Sequence, residues 1–192
     1  MKIAVLGWGS LIWNPKRESG ELNLADDKWF SDGPELPIEF ARISNDKRLT
    51  LVLFSPAKKV PVLWAMMAPD NLDDAINNLM EIEGIPAFRK DRIGYVNLQS
   101  GEQRSTVVAD IADEIRRWAC MKKVDAVIWT DLPPKFKEET GIEFTEENVI
   151  SYLNSLRNDS KKKAEEYIRR APRQIRTVFR SVVEKTLGWF PA

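Results

Sequence analysis

The sequence predicts an α+β protein in which a β-rich region with embedded helices is followed by a helical C-terminal extension. Three observations carry this. Residues 2–6, 37–43, 48–54, 60–68, 93–98, 104–109 and 125–132 are short apolar runs bounded by turn residues, the pattern of strands. Between them, residues 71–83 and 111–122 repeat apolar side chains at about helical spacing. After about residue 145 the pattern is helical as far as Leu187. These features divide the chain into a domain over 1–134 and a helical extension over 135–192 packed on it.

The elements follow in order. The first strand runs straight into the loop "GWGSLIWNP", which Pro15 closes. Ser44-Asn45-Asp46 and Ser55-Pro56 supply turns between the next strands. Asp70 or Asn71 caps the 71–83 helix. Ser100-Gly101-Glu102 joins 93–98 to 104–109, and Pro133-Pro134 closes 125–132. Residues 131–134 and 136–141 read as surface loop. Thr145 caps a helix to about 157 with Val149, Ile150, Leu153 and Leu156 on its apolar side. Ser160 caps a longer helical pattern ended by Gly188, with Pro172 set to kink or split it.

Composition excludes several classes. The chain has 192 residues, 43 % hydrophobic and 30 % charged, with a formal net charge of zero. No basic excess points to nucleic acid. No segment reaches the roughly 20 apolar residues of a membrane span. The apolar stretch 3–13 is broken by Gly-Trp-Gly-Ser and does not read as a signal peptide. The one cysteine, Cys120, cannot form an intrachain disulfide, which suits the cytoplasm. It follows Trp118-Ala119 in a helical pattern and reads as a buried structural thiol. Histidine is absent, so Ser-His-Asp and Cys-His chemistry is excluded. A thiolate or histidine metal site is excluded as well. Asp73, Asp74 and Glu81 lie on a solvated helix face and do not resemble a metal cluster. An acid/base enzyme built from this sequence needs a carboxylate, Lys or Tyr.

One carboxylate stands out. At about 100° per residue, Leu72, Ile76, Leu79 and Glu83 fall within one narrow arc, with Glu81 opposite beside Asp74 and Asn77. Glu83 therefore lies on the apolar stripe in the last turn, just before Gly84. There it is either buried or at the mouth of a cavity. Burial disfavours a charged carboxylate and raises its pKa, which suits an acid/base at neutral pH. The alternative is a frayed-end glutamate turned to solvent or paired with Arg89 or Arg92.

A strand entering "GWGSLIWNP", followed later by a helix ending "LMEIEG", resembles the gamma-glutamylcyclotransferase-like family over roughly residues 1–130. The "GSLIWNP" run is most similar to the branch acting on glutathione. "EIEG" is closer to the branch acting on free gamma-glutamyl amino acids. The resemblance implies a mixed β-barrel, with Trp8, Gly9, Ser10 and Leu11 as the substrate loop and Glu83 as the acid/base. Tyr95, on a predicted strand, is a further candidate for the substrate, although a core tyrosine is the plainer reading. The implied reaction releases 5-oxoproline from a gamma-glutamyl substrate and needs no metal or organic cofactor. Two departures stand out: the family's loop Tyr is Trp8, and the C-terminal extension is longer and more helical than in compact members.

The rival readings are a non-catalytic member that binds a small molecule or partner, and a nucleic-acid protein acting through Arg169, Arg173, Arg176 and Arg180. Residues 160–187 hold nine Lys/Arg against three Glu. The plain reading of that arginine stripe is a solvated helix face, opposite Ile168, Ile175, Val178 and Val182, so no nucleic-acid partner is expected. A homodimer stays open.

Overall fold

The computed structural model describes residues 1–108 and 110–192. It is an α+β arrangement. Strand β1 (Ile3–Gly7) leads through the loop to a small ribbon, β2 (Lys16–Arg17) and β3 (Gly20–Glu21). There follow β4 (Glu35–Ile43), β5 (Leu49–Leu53), β6 (Lys59–Pro61), β7 (Leu63–Met66) and helix α1 (Leu72–Ile82). A 3-10 segment, Ala87–Arg92, precedes β8 (Ile93–Asn97), β9 (Gln103–Arg104), α2 (Ile111–Lys122) and β10 (Ala126–Thr130). Four helices complete the chain: α3 (Phe136–Thr140), α4 (Glu146–Ser155), α5 (Asn158–Arg170) and α6 (Val178–Leu187).

The strands form a five-stranded sheet in the order β7-β1-β10-β8-β9, a three-stranded sheet β5-β4-β6 and the β2-β3 ribbon. Strand β1 runs parallel to β10 and antiparallel to β7. The predicted run 60–68 is two strands. Val62 lies between β6, which pairs with β4, and β7, which pairs with β1. The chain thus passes from one sheet to the other there, and the sheets are open rather than closed into the expected barrel.

Strand alternation explains how β1 is buried on both sides. Ile3 and Val5 face α1, packing with Ala75, Ile76, Leu79 and Ile82. Ala4 and Leu6 face the main core. That core also takes Leu36, Ile38 and Phe40 from β4, Trp118 from α2, and Val149, Leu153, Ile168, Ile175 and Val183 from the C-terminal segments. Residues 135–192 therefore share one apolar core with the rest.

Several expectations are corrected. The 104–109 strand shrinks to β9, because only Gln103 and Arg104 find partners on β8; its last residue, Ala109, lies outside the described residues. Asp131 and Phe136 are buried, not surface loop, and 136–140 form α3. Cys120 is exposed, because the inward stripe of α2 is Ile111, Ala112, Ile115, Trp118 and Ala119. Ser160 caps nothing; the N-cap of α5 is Arg157. Pro172 does split the C-terminal pattern, and α6 starts afresh from an N-cap at Thr177. The arginines are consequently not one stripe. Arg180 is 2 % exposed and donates to the carbonyls of Ala171, Pro172 and Ile175, so it closes the α5–α6 connection. Val178, expected on the apolar side, is exposed, and Val183 takes its place. No helix among the described residues is long and apolar enough to cross a membrane.

Glu39 pins α6 to β4. It is 2 % exposed, and its Oε2 accepts the Phe179 N–H at 3.3 Å in the first turn of α6. Burial pushes its carboxyl above the ordinary 4.5, with hydrogen bonds from Thr177 and the Phe40 and Phe179 amides opposing. A carboxyl whose folded pKa is raised contributes stability at low pH and loses it as pH rises through the raised value. Wild type is therefore expected to lose stability relative to Glu39→Gln as pH rises from below 4.5 toward neutrality, read by urea unfolding at a series of pH values. The opposite slope would mean that the amide partners outweigh burial. Truncation after Pro134 strips Ile168, Ile175 and Val183 from the core and is expected to give insoluble or unfolded protein. A soluble 1–134 fragment with a cooperative unfolding transition would refute a shared core.

Candidate functional site

The C-terminal end of β1 opens into a cleft of about 340 Å³. The 8–11 loop forms one wall, and the β4–β5 hairpin forms another through Arg42, Asp46, Arg48 and Leu51. Thr130 and Leu132 after β10, Glu83 at the end of α1, and Tyr167 from α5 complete it. Trp8, Gly9, Ser10, Leu11 and Glu83 are thus brought together. Tyr95 is not part of this cleft. It packs on the α1 side of the sheet, with the Arg104 guanidinium 4.9 Å from its ring.

The loop's composition follows from close packing. A Cβ on Gly7 would come within 2.6 Å of the Trp29 ring, and one on Gly9 within 2.3 Å of the Tyr167 hydroxyl. Trp8 between them is buried, and its Nε1 donates to the Leu51 carbonyl at 3.2 Å. The Leu51 N–H in turn donates to the Tyr167 hydroxyl at 3.3 Å. One residue of β5 is therefore gripped by an indole from the loop and a phenol from α5. The loop turns back on itself through Ile12 N–H to Gly9 O, at 3.1 Å, and Asn14 N–H to Ser10 O, at 2.8 Å. Among the described residues, the N–H groups of Trp8, Gly9 and Leu11 find no protein acceptor. Lining the cleft, they are free to donate to water or to an oxygen from outside the chain.

Glu83 is the C-cap of α1 and is followed by Gly84 at φ 62°. Its side chain is 19 % exposed and lies 3.3 Å from Arg17 Nη2. That same nitrogen donates to Ser10 Oγ at 3.2 Å, while Nη1 donates to the Ile82 carbonyl at 3.0 Å. Arg17 therefore ties the loop to the helix end and supplies the countercharge to Glu83. Glu81 is exposed, as its opposite position on the helix requires.

The hairpin wall is cationic. Arg48 donates to Asp46 at 2.9 Å and lies 5.4 Å from the Tyr167 ring. Burial opposes, but hydrogen bonds from Ser44 and Arg48 hold the Asp46 carboxyl below its ordinary range. Arg42 donates to the Pro133 carbonyl at 2.8 Å. Burial, then the nearby Arg92 charge, lowers its pKa, and among the described residues it has no carboxylate within ion-pair distance. A β-bulge between Phe40 and Arg42 places it there. Leu36, Ile38 and Phe40 face the core, and after the bulge Ile43 continues that face while Arg42 turns to the cleft.

The sequence did not single out Arg17, Arg42 or Tyr167 as site residues. Arg17 belongs to a two-residue strand with no periodicity. Tyr167 shares an apolar helix face with Ala164 and Ile168, so it reads as core. A larger apolar hollow of about 490 Å³ beside Phe54, Phe136 and Phe144 shares no residue with the cleft and lacks its convergent polar groups. Among the described residues no three His, Cys, Asp or Glu side chains gather as they would around a metal.

No family model matches this chain, and no curated protein or solved structure matches it.

Because Gly9 meets a rigid, buried phenol, Gly9→Ala is expected to destabilise by about 1–3 kcal/mol, the usual cost of overpacking. In a Tyr167→Phe background, which removes the clashing oxygen, the same change should cost distinctly less. Urea unfolding of the four proteins measures this; an equal cost in both backgrounds would mean that the loop, not the contact, carries the strain.

Proposed function

We propose that the protein is a gamma-glutamylcyclotransferase-like enzyme, on the corresponding fold, that releases 5-oxoproline from a gamma-glutamyl amine, amino acid or peptide. The observation that carries this reading is the meeting of the 8–11 loop and Glu83 in one cleft, joined through Arg17. The sequence resemblance pairs the same two elements.

The reaction is an intramolecular aminolysis. The substrate's α-amine attacks its own γ-carbonyl, a carbon–nitrogen bond forms, and the carbonyl electron pair moves to oxygen. The amine attacks in its neutral form, and Glu83 takes the proton that its nitrogen sheds as the new bond forms and delivers it to the departing nitrogen as the old amide bond breaks. The free amides of the loop stabilise the oxyanion. Arg42, the cleft cation without a carboxylate partner, complements the substrate's α-carboxylate. The substrate, the side chains and the loop amides supply the groups this step uses. The single cysteine is compatible with a cytoplasmic setting.

The Arg17–Glu83 ion pair favours a second reading, a non-catalytic protein of this fold whose cleft holds a small polar ligand. In it Glu83 is a structural partner of Arg17 and moves no proton.

Glu83→Gln separates the two. It keeps the shape of the side chain and removes the shuttle, so turnover should fall by about 10²–10⁴-fold while ligand binding survives. Glu81→Gln, on the exposed side, should leave turnover alone and change stability by no more than about 0.5 kcal/mol. The assay is 5-oxoproline release from a panel of gamma-glutamyl compounds, with binding followed by tryptophan fluorescence. Wild-type turnover by Glu83→Gln rules out the acid/base role. Binding without any 5-oxoproline from wild type favours the second reading.

A further inference from the structure

Tyr167 reaches the cleft from the C-terminal extension, and its hydroxyl is an unusual group to find there. A phenol oxygen offers two lone pairs and one hydrogen. The oxygen accepts the Leu51 N–H at 3.3 Å, and the Ser10 main-chain amide also acts on it. The hydrogen is the part left over. Among the described residues no protein oxygen accepts it, whereas the hydroxyl of Tyr152 donates to the Lys47 carbonyl at 2.8 Å. Tyr167 is 5 % exposed, so water does not freely replace the missing acceptor.

Its location adds meaning to this. A Cβ on Gly9 would lie 2.3 Å from the Tyr167 oxygen, so the hydroxyl rests directly against the loop whose Trp8, Gly9 and Leu11 amides also lack acceptors. A buried O–H and unpaired N–H groups thus line one cleft with Glu83. These unmatched donors, beside the Glu83 carboxylate, describe a receptor for an oxygen that gains negative charge next to a group that moves a proton.

We infer that Tyr167 is a catalytic residue that donates its hydroxyl hydrogen bond to the γ-carbonyl oxygen as the α-amine attacks and that oxygen becomes negative. The inference rests on the cyclisation proposed above. In this step the carbon–nitrogen bond to the α-amine forms and the carbonyl π pair moves to oxygen. The intermediate then collapses, the pair returns, and the bond to the leaving nitrogen breaks with the proton from Glu83. Tyr167 keeps its own proton throughout. Burial is the main influence pushing its phenol up to about 12, the Leu51 amide and Arg48 charge opposing and the Glu83 charge adding to it. At neutral pH it is therefore a donor and not a base. The helical extension, on this account, completes the active site and does not merely cover the sheet.

The test uses the full chain. Tyr167→Phe removes the donor and is expected to lower kcat by about 10²–10³-fold, the effect of deleting one oxyanion donor, with KM little changed. Thermal unfolding of the same protein checks that it is folded. A second variant carries a multiply fluorinated, more acidic tyrosine at position 167. It keeps the ring and the oxygen that accepts from Leu51, so a structural role predicts wild-type behaviour. A donor role predicts that the ratio of its activity to that of wild type at the same pH is preserved below its lowered phenol pKa and falls above it. An active wild type whose Phe variant keeps full kcat, or whose fluorinated variant keeps the wild-type pH profile, overturns the role of Tyr167 and leaves the cyclisation reading standing. If Tyr167→Phe does not fold, the fluorinated variant alone decides. A wild type that yields no 5-oxoproline from any gamma-glutamyl compound overturns the reading and the inference together.

Discussion

The guanidinium of Arg17 donates to the Asn14 carbonyl, the Ile82 carbonyl, the Ser10 hydroxyl and the Glu83 carboxylate. Each bond closes a different gap. The bond to Ile82 satisfies a carbonyl in the last turn of α1, where intrahelical partners run out. The bonds to Asn14 and Ser10 hold the loop after β1 in its folded-back shape. The bond to Glu83 sets the direction of the carboxylate. Because one planar group makes all four, the loop and the helix end cannot move independently. The cleft exists in its observed form because of that coupling, and both functional readings depend on it.

A second coupling runs between the two halves of the chain. Leu51 on β5 gives its carbonyl to Trp8 and its N–H to Tyr167. Glu39 on the neighbouring strand accepts from the first turn of α6. The C-terminal helices are thus fastened to the sheet at polar points as well as through the apolar core. These bonds are directional, so the Tyr167 contact fixes where α5 lies along β5 and the Glu39 contact where α6 meets β4. Apolar contact alone fixes such a position poorly. The result is that a side chain from the last third of the sequence enters a cleft otherwise built by the first 132 residues.

Much of the architecture was legible because it depends on local chemistry. The α2 span 111–122 follows from its spacing of apolar residues, the Asn71 and Thr145 caps from their side-chain oxygens, and the division at Pro172 from a missing N–H. Glu83 was legible for the same reason: a helix has a fixed angular repeat, so a carboxylate on the apolar stripe is visible without coordinates. Where local rules are silent the reading failed. The split at Val62 is a change of partner, not of residue type. Cys120, Arg180 and Phe136 were misplaced because their burial depends on which neighbour packs against them.

The sequence by itself determined the α+β class, the loop after the first strand and the inward position of Glu83. Each of these is set by residues within a few positions of one another. Only the tertiary structure decided that this loop and this glutamate line the same cleft, that Arg17 bridges them, that a bulge turns Arg42 toward them, and that Tyr167 completes the wall. These are meetings between residues far apart in the chain. They follow from sheet register, from a strand that changes partners and from the docking of α5, and no local pattern of residue types encodes them.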